Sequence, residues 1–182
     1  MKKIAFIVGG LVLLALVVVL GLASLQPDEF TVTRSIDVGS APARAFEQVN
    51  DFHRWSAWSP WEKLDPGMQR THSGATSGRG AIYEWRGNPE VGKGRMEIVE
   101  SLSASKVVID LHFMEPFEAK NVTTFSFAPD AGGTEVNWSM KGKNTFISKI
   151  MCVFMDMDSM IGADFESGLS QLKTVAEGSV VP

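Results

Sequence analysis

Between positions 144 and 177 apolar residues recur three and four apart. With Ile147 as origin they are Ile150, Phe154, Met157, Ile161, Phe165, Leu172 and Val175, with Met151 and Leu169 beside them. Lys149, Asp156, Glu166, Ser167, Ser170 and Thr174 take the opposite face. The spacing predicts one helix of 34 residues, roughly 50 Å long at 1.5 Å per residue. A small domain buries such a rod only by laying it along a sheet. The preceding chain supplies one. Segment 30–38 is β-branched and alternates apolar with polar, and segments 69–73, 81–86, 95–101, 106–114, 119–127 and 134–141 are strand-like runs separated by Gly or Pro. A short helix is expected from Ser40 as N-cap, with Pro42 in its first turn, through Ala45, Phe46 and Val49 to about Phe52. Pro60 and Pro66 prevent the tryptophan-rich segment that follows from continuing it. The order is strand, short helix, six strands, long helix. It predicts an α+β domain in which a seven-stranded antiparallel sheet curls around a C-terminal helix.

The hydropathy pattern changes character at the front of the chain. Residues 4–25 form a run of 22 without a charge, about 33 Å as a helix against a bilayer core of about 30 Å. Lys2 and Lys3 precede it. The excess of positive charge on that side predicts a cytoplasmic N-terminus and an extracytoplasmic domain. A cleaved signal peptide, for which Gly21-Leu22-Ala23 offers a loose cleavage site, ordinarily has an apolar core of only about 7–15 residues. The run is therefore read as an uncleaved, single-pass anchor. The layout is anchor 1–25, linker 26–29 and domain 30–178.

Charge and chemistry narrow the reading further. Of 17 basic residues two lie in the anchor, so 15 face 21 acidic ones in the remainder, a formal charge of −6. An acidic domain without a basic cluster argues against a nucleic-acid partner. The one cysteine, Cys152, has no partner for an intramolecular disulfide. Gly87 to Lys93 spells most of a phosphate-binding loop, but Gly94 stands where a magnesium-binding hydroxyl belongs and a strand follows instead of a helix, so a hairpin turn is expected. His53, His72 and His112 show no ligand spacing, and no nucleophile elbow is present; neither metal nor cofactor is expected. Trp55, Trp58 and Trp61 form either a lid on a ligand cavity or a plug in the end of the sheet. Asp158 falls on the apolar stripe of the long helix. There its carboxyl either stays protonated, or reaches water through a kink at Gly162, or pairs with Arg86 or Arg95.

Several stretches carry a resemblance. They are Trp55 with Trp58-Ser59-Pro60-Trp61, Tyr83-Glu84-Trp85-Arg86-Gly87 with Gly92 and Gly94, Gly133-Thr134 to Trp138, and Met160-Ile161-Gly162 with Asp164-Phe165-Glu166 and Gly168-Leu169. Over residues 30–178 the chain resembles the helix-grip fold of the START / polyketide-cyclase-like (SRPBCC) superfamily, in particular its membrane-anchored bacterial branch. The resemblance implies an elongated apolar cavity between sheet and helix, a hydrophobic small molecule or lipid as partner, and a place in the bacterial inner membrane with the domain periplasmic. The residues expected to line the cavity are Trp55, Trp58, Trp61, Trp85, Phe113, Met151, Phe154, Met157, Asp158 and Ile161. Two alternatives stay open: a cyclase- or aromatase-like enzyme with Asp158 or His112 as acid/base, and an envelope protein-interaction module with a filled core.

Overall fold

The computed structural model describes residues 2–178. Among them, in chain order, are α1 (Lys2–Ser24), β1 (Glu29–Val38), α2 (Pro42–Asn50), two short 3₁₀ helices (Phe52–Ala57 and Pro60–Lys63), β2 (Gln69–Gly74), β3 (Ala81–Arg86), β4 (Lys93–Leu102), β5 (Lys106–Glu115), β6 (Ala119–Asp130), β7 (Gly133–Lys143), α3 (Phe146–Phe154) and α4 (Met157–Ala176). The strands form one antiparallel sheet in the order β1-β7-β6-β5-β4-β3-β2. It is a meander from β2 to β7, closed by β1 returning beside β7.

The alternation in the sequence sets which side chains point inward. Tyr83 lies opposite Met96, Ile98 opposite Ile109, and Phe125 opposite Trp138, all buried on the concave face. Helix α4 buries Gly162, Phe165, Gly168, Leu169, Leu172 and Ala176, at helical spacing, and packs mainly on β1. Glycine lets the layers approach. A Cβ at Gly168 would stand 2.8 Å from the Trp138 ring. The hairpin expected at Gly87 to Lys93 is present: Gly92 has φ +61 and Trp85 Nε1 donates to the Val91 carbonyl (2.9 Å).

Two expectations need correction. The C-terminal helix is not continuous. The backbone is extended at Met155 (φ −136, ψ 136), α3 ends there, and Asp156 starts α4 as its N-cap. The Asp156 carboxylate accepts from the amides of Asp158 (3.1 Å) and Ser159 (3.3 Å) and from the Ser159 hydroxyl (2.6 Å). These bonds, that from the Ser159 hydroxyl first, hold its pKa below the usual carboxylate range. The break lies before Gly162, which is mid-helix and lets the Arg34 guanidinium of β1 lie against α4. Nor is Ser40 the cap of α2. That position is Ala41, without a side-chain bond, and the Ser40 carbonyl instead accepts from the Thr134 hydroxyl (2.7 Å).

Helix α1 is long and apolar enough, over Phe6–Ser24, to cross a membrane. Almost all of it is exposed; near its C-terminal end Ala23 is buried, where α1 packs on α3. The side chains of Lys2 and Lys3 lie outside the described ones.

Gly94 tests the packing of the sheet, because a Cβ there would strike the indole of Trp85 and stand 2.8 Å from the His112 carbonyl. Both are fixed by their strands, so Gly94→Ala is expected to destabilise the domain by about 1–3 kcal/mol, read as a lower denaturant midpoint at unchanged slope.

Candidate functional site

The interior is divided by a wall of aromatic rings. Trp138 of β7 stacks on Phe165 of α4 (centroids 4.1 Å, planes 8° apart), lies 4.7 Å from Phe125, and takes the edges of Trp58 (5.8 Å) and Trp61 (5.7 Å). Such edge and offset contacts each add about 0.5–1.5 kcal/mol beyond burial. On one side the core is filled, by Val107, Ile109, Phe127, Leu169 and Leu172. On the other side lies a pocket of about 360 Å³.

Its walls are mostly apolar. Met96, Leu111, Phe113 and Met140 form part of the floor from the sheet, Tyr83 and Trp85 one side, Trp55 and Trp61 the inner end, and Met157, Ile161 and Phe165 of α4 the roof. It opens where the β3–β4 turn (Glu90, Val91), the β5–β6 turn (Glu115, Pro116, Phe117), the end of β7 (Lys143) and the start of α3 (Ser148) meet.

The polar groups in the wall are few and placed. The Glu62 carboxylate, almost wholly buried, accepts from the Tyr83 hydroxyl (2.5 Å) and pairs with Arg70 (2.6 Å). A carboxylate that far from water persists only with such compensation. Burial, and then the hydrogen bond to Glu62, push the Tyr83 phenol above its ordinary pKa, so it stays a neutral donor. Thr123 Oγ1 and Trp138 Nε1, both on pocket-lining residues, are buried without a hydrogen-bond partner. Asp164 of α4 lies at the pocket, its pKa raised by burial. No group of three or more His, Cys, Asp or Glu able to hold a metal occurs among the described residues.

The structure brings Trp55, Trp61, Trp85, Phe113, Met157 and Ile161 together around this pocket. Others it places elsewhere. Trp58 is fully buried behind the wall, its Nε1 donating to the Gln48 carbonyl (3.1 Å), and belongs to the filled core. The tryptophan segment is thus plug at Trp58 and pocket wall at Trp55 and Trp61. Met151 and Phe154 are outside the wall, Phe154 with 70% of its surface exposed, because α3 departs from the line of α4. Asp158, in the first turn of α4, points away from the pocket. Its side chain is 57% exposed and pairs with Arg34 (3.0 Å), which also holds Glu166 (2.8 Å), and not with Arg86 or Arg95. His112 alternates with Leu111 and Phe113, so it sits on the convex face, against Glu118 (3.1 Å). Neither candidate acid/base therefore faces the pocket.

The sequence reading missed Glu62, Arg70, Tyr83 and Thr123. They come from four elements, and nothing in their spacing links them. His53 and His72, likewise unrelated by spacing, stack at 4.2 Å, with burial and His53 lowering the His72 pKa.

Comparisons with known proteins agree with this architecture. The model of the family described as polyketide cyclase / dehydrase and lipid transport matches residues 29–177. Among solved structures, a protein from Chromobacterium violaceum superposes with a TM-score of 0.58 at 15% identity, over 84% of this chain and 99% of that one. The Aha1 dimer from Colwellia psychrerythraea gives 0.58 at 12%, over 81% and 96%. The di-domain ARO/CYC protein BexL, from the BE-7585A biosynthetic pathway, gives 0.62 at 13%, over 89% of this chain and 54% of that one. At these identities the likeness is one of fold. No curated protein matches the sequence.

The partnerless hydroxyl of Thr123 yields a test. Burying a hydroxyl without a bond costs about 1–3 kcal/mol, so Thr123→Val is expected to stabilise the ligand-free domain by roughly 1 kcal/mol. Thermal denaturation measures it; a loss of stability would mean that the hydroxyl already has a partner.

Proposed function

We propose, for a chain that belongs to the polyketide cyclase / dehydrase and lipid transport family, that it is a membrane-tethered binder of a hydrophobic small molecule or lipid. The ligand lies in the pocket between the sheet and α4. The observation that carries this reading is the pocket itself: about 360 Å³, within the range of ligand sites, walled by aromatic and methionine side chains and holding a few buried polar atoms. Apolar walls supply affinity through burial, at about 25 cal/mol per Å² removed from water. The Tyr83–Glu62 pair, with both residues among the lining side chains, offers a polar contact for one ligand group. An amphipathic molecule fits that combination better than a pure hydrocarbon.

Binding is favoured over catalysis by the state of the wall. With Asp158 and His112 outside, the acid/base groups of the wall include Glu62 and Tyr83, bonded to each other, and Asp164, which is solvent-exposed on α4. Glu62 is neutralised by Arg70, and Tyr83 is held protonated. Groups so compensated orient a ligand and are poorly suited to moving its protons. An interaction module with a filled core fits less well, since the space is open to the surface.

The tether is α1. Its apolar length suits a single crossing, and Lys2 and Lys3 ahead of it favour a domain on the extracytoplasmic face of the bacterial inner membrane.

Two measurements test the reading. Native mass spectrometry of the full chain released from membranes is expected to show residues 1–25 retained and an apolar molecule bound; a chain beginning after residue 23 would end the tether, and an empty protein that also ignores apolar dyes would end the binder. Second, Ile161→Asp, in the roof, is expected to weaken dye binding about tenfold, some 1.4 kcal/mol. Phe154→Asp, outside the pocket, is expected to leave it unchanged.

A further inference from the structure

The pocket mouth and the apolar helix α1 are at the same end of the domain. Glu29, the first residue of β1, pairs with Lys143, the last of β7, and Lys143 is at the mouth. The linker, residues 25–28, is pinned there. The Asn144 amide donates to the Asp28 carbonyl (2.8 Å), the Asn144 side chain to the Pro27 carbonyl (3.0 Å), and Lys149 of α3 pairs with Asp28 (2.5 Å). Helix α3 is thereby clamped alongside the end of α1, with Ala23 buried between them.

The surface of α3 does not suit water. Its sequence, Phe146-Ile-Ser-Lys-Ile-Met-Cys-Val-Phe154, has one charge, and that charge is matched by Asp28. Phe146, Ile147 and Phe154 are each more than half exposed, and Leu25, Phe117 and Met155 add exposed apolar surface at the same end. The other exposed large apolar side chains of the domain are Leu64, Leu102, Val122 and, in the first turn of α4, Met160. A nine-residue helix is about 13 Å long, the size of an interfacial element and too short to cross. What covers the last turns of α1 must also cover a helix packed against them.

We infer that α3 is a second membrane contact, lying in the interface with Phe146, Ile147 and Phe154 in the acyl region, and that it holds the pocket mouth on the bilayer so that the ligand passes between membrane and pocket without crossing water. The inference rests on α1 being a membrane span. It adds an occupant, the lipid surface, for a patch that the tether alone leaves in water. Lys149 fits the placement, since its long stem lets the ammonium reach Asp28 at the polar boundary.

The test uses the full chain in vesicles, with Cys152→Ser as background and an environment-sensitive fluorophore on single cysteines. Probes at Ile147→Cys and Phe154→Cys are expected to emit to the blue of a probe at Asp110→Cys on the convex face, and to be quenched by nitroxide lipids labelled near the headgroup. A probe at Leu13→Cys in α1 is quenched by lipids labelled deep in the chain if α1 spans. Quenching at Leu13 with water-like emission at Ile147 and Phe154 would overturn the inference and leave the tether standing. No quenching at any of the three would overturn both. Quenching at Ile147 and Phe154 alone would support the contact and refute the span.

Discussion

The contact between Trp138 and Phe165 is the constraint on which the rest of the interior depends. It is the point where the meander sheet and α4 touch ring to ring, and it is possible because Gly168 leaves no Cβ between the layers. Everything on one side of it packs as an ordinary core. On the other side the side chains leave space unfilled between sheet and α4, and that space is the pocket. A smaller residue at 138 would therefore do more than open a cavity of its own, because it would join the filled and open halves. The tryptophans of the 3₁₀ region are part of the same device: Trp58 braces the wall from behind, while Trp55 and Trp61 face the open side.

Much of this was legible in the sequence. Strand-like runs between Gly and Pro gave all seven strands with ends within a few residues; in six of them a buried face is recorded as alternation, whereas β2 is almost wholly exposed and carries none. The resemblance of Trp58-Ser59-Pro60-Trp61, Tyr83 to Gly87 and Asp164-Phe165-Glu166 pointed to the right fold. The break at Met155 escaped, since α3 and α4 are each apolar on one side and a single wheel fits both in turn. The signal was there: Asp156 followed by Ser159 is a helix start. Once the helix is cut there, Asp158 becomes a first-turn residue, and its appearance on the apolar stripe is explained as an artefact of carrying one wheel across two helices. Phe154 and Met151 left the expected pocket for the same reason.

What the sequence could not carry is the polar chemistry of the wall. Glu62 comes from a 3₁₀ turn, Arg70 from β2, Tyr83 from β3 and Thr123 from β6. The first three meet through the pairing of β2 with β3 and the 3₁₀ turn beside them, and Thr123 joins them only as a lining residue of the same pocket. A buried carboxylate is ordinarily a sign of function or of a structural ion pair, and here Arg70 makes it the second while Tyr83 presents the pair to the pocket.

The short connection between α1 and β1 has a mechanical meaning as well. Four residues span at most about 14 Å fully extended, and three of their links to Asn144 and Lys149 use up even that slack. On the proposed reading the domain has no leash. It cannot swing out to meet a soluble acceptor across the periplasm, and its search for a donor or acceptor is two-dimensional, limited to what diffuses in the same bilayer or stands close above it. A partner that takes up the ligand from this protein must come down to the membrane to do so.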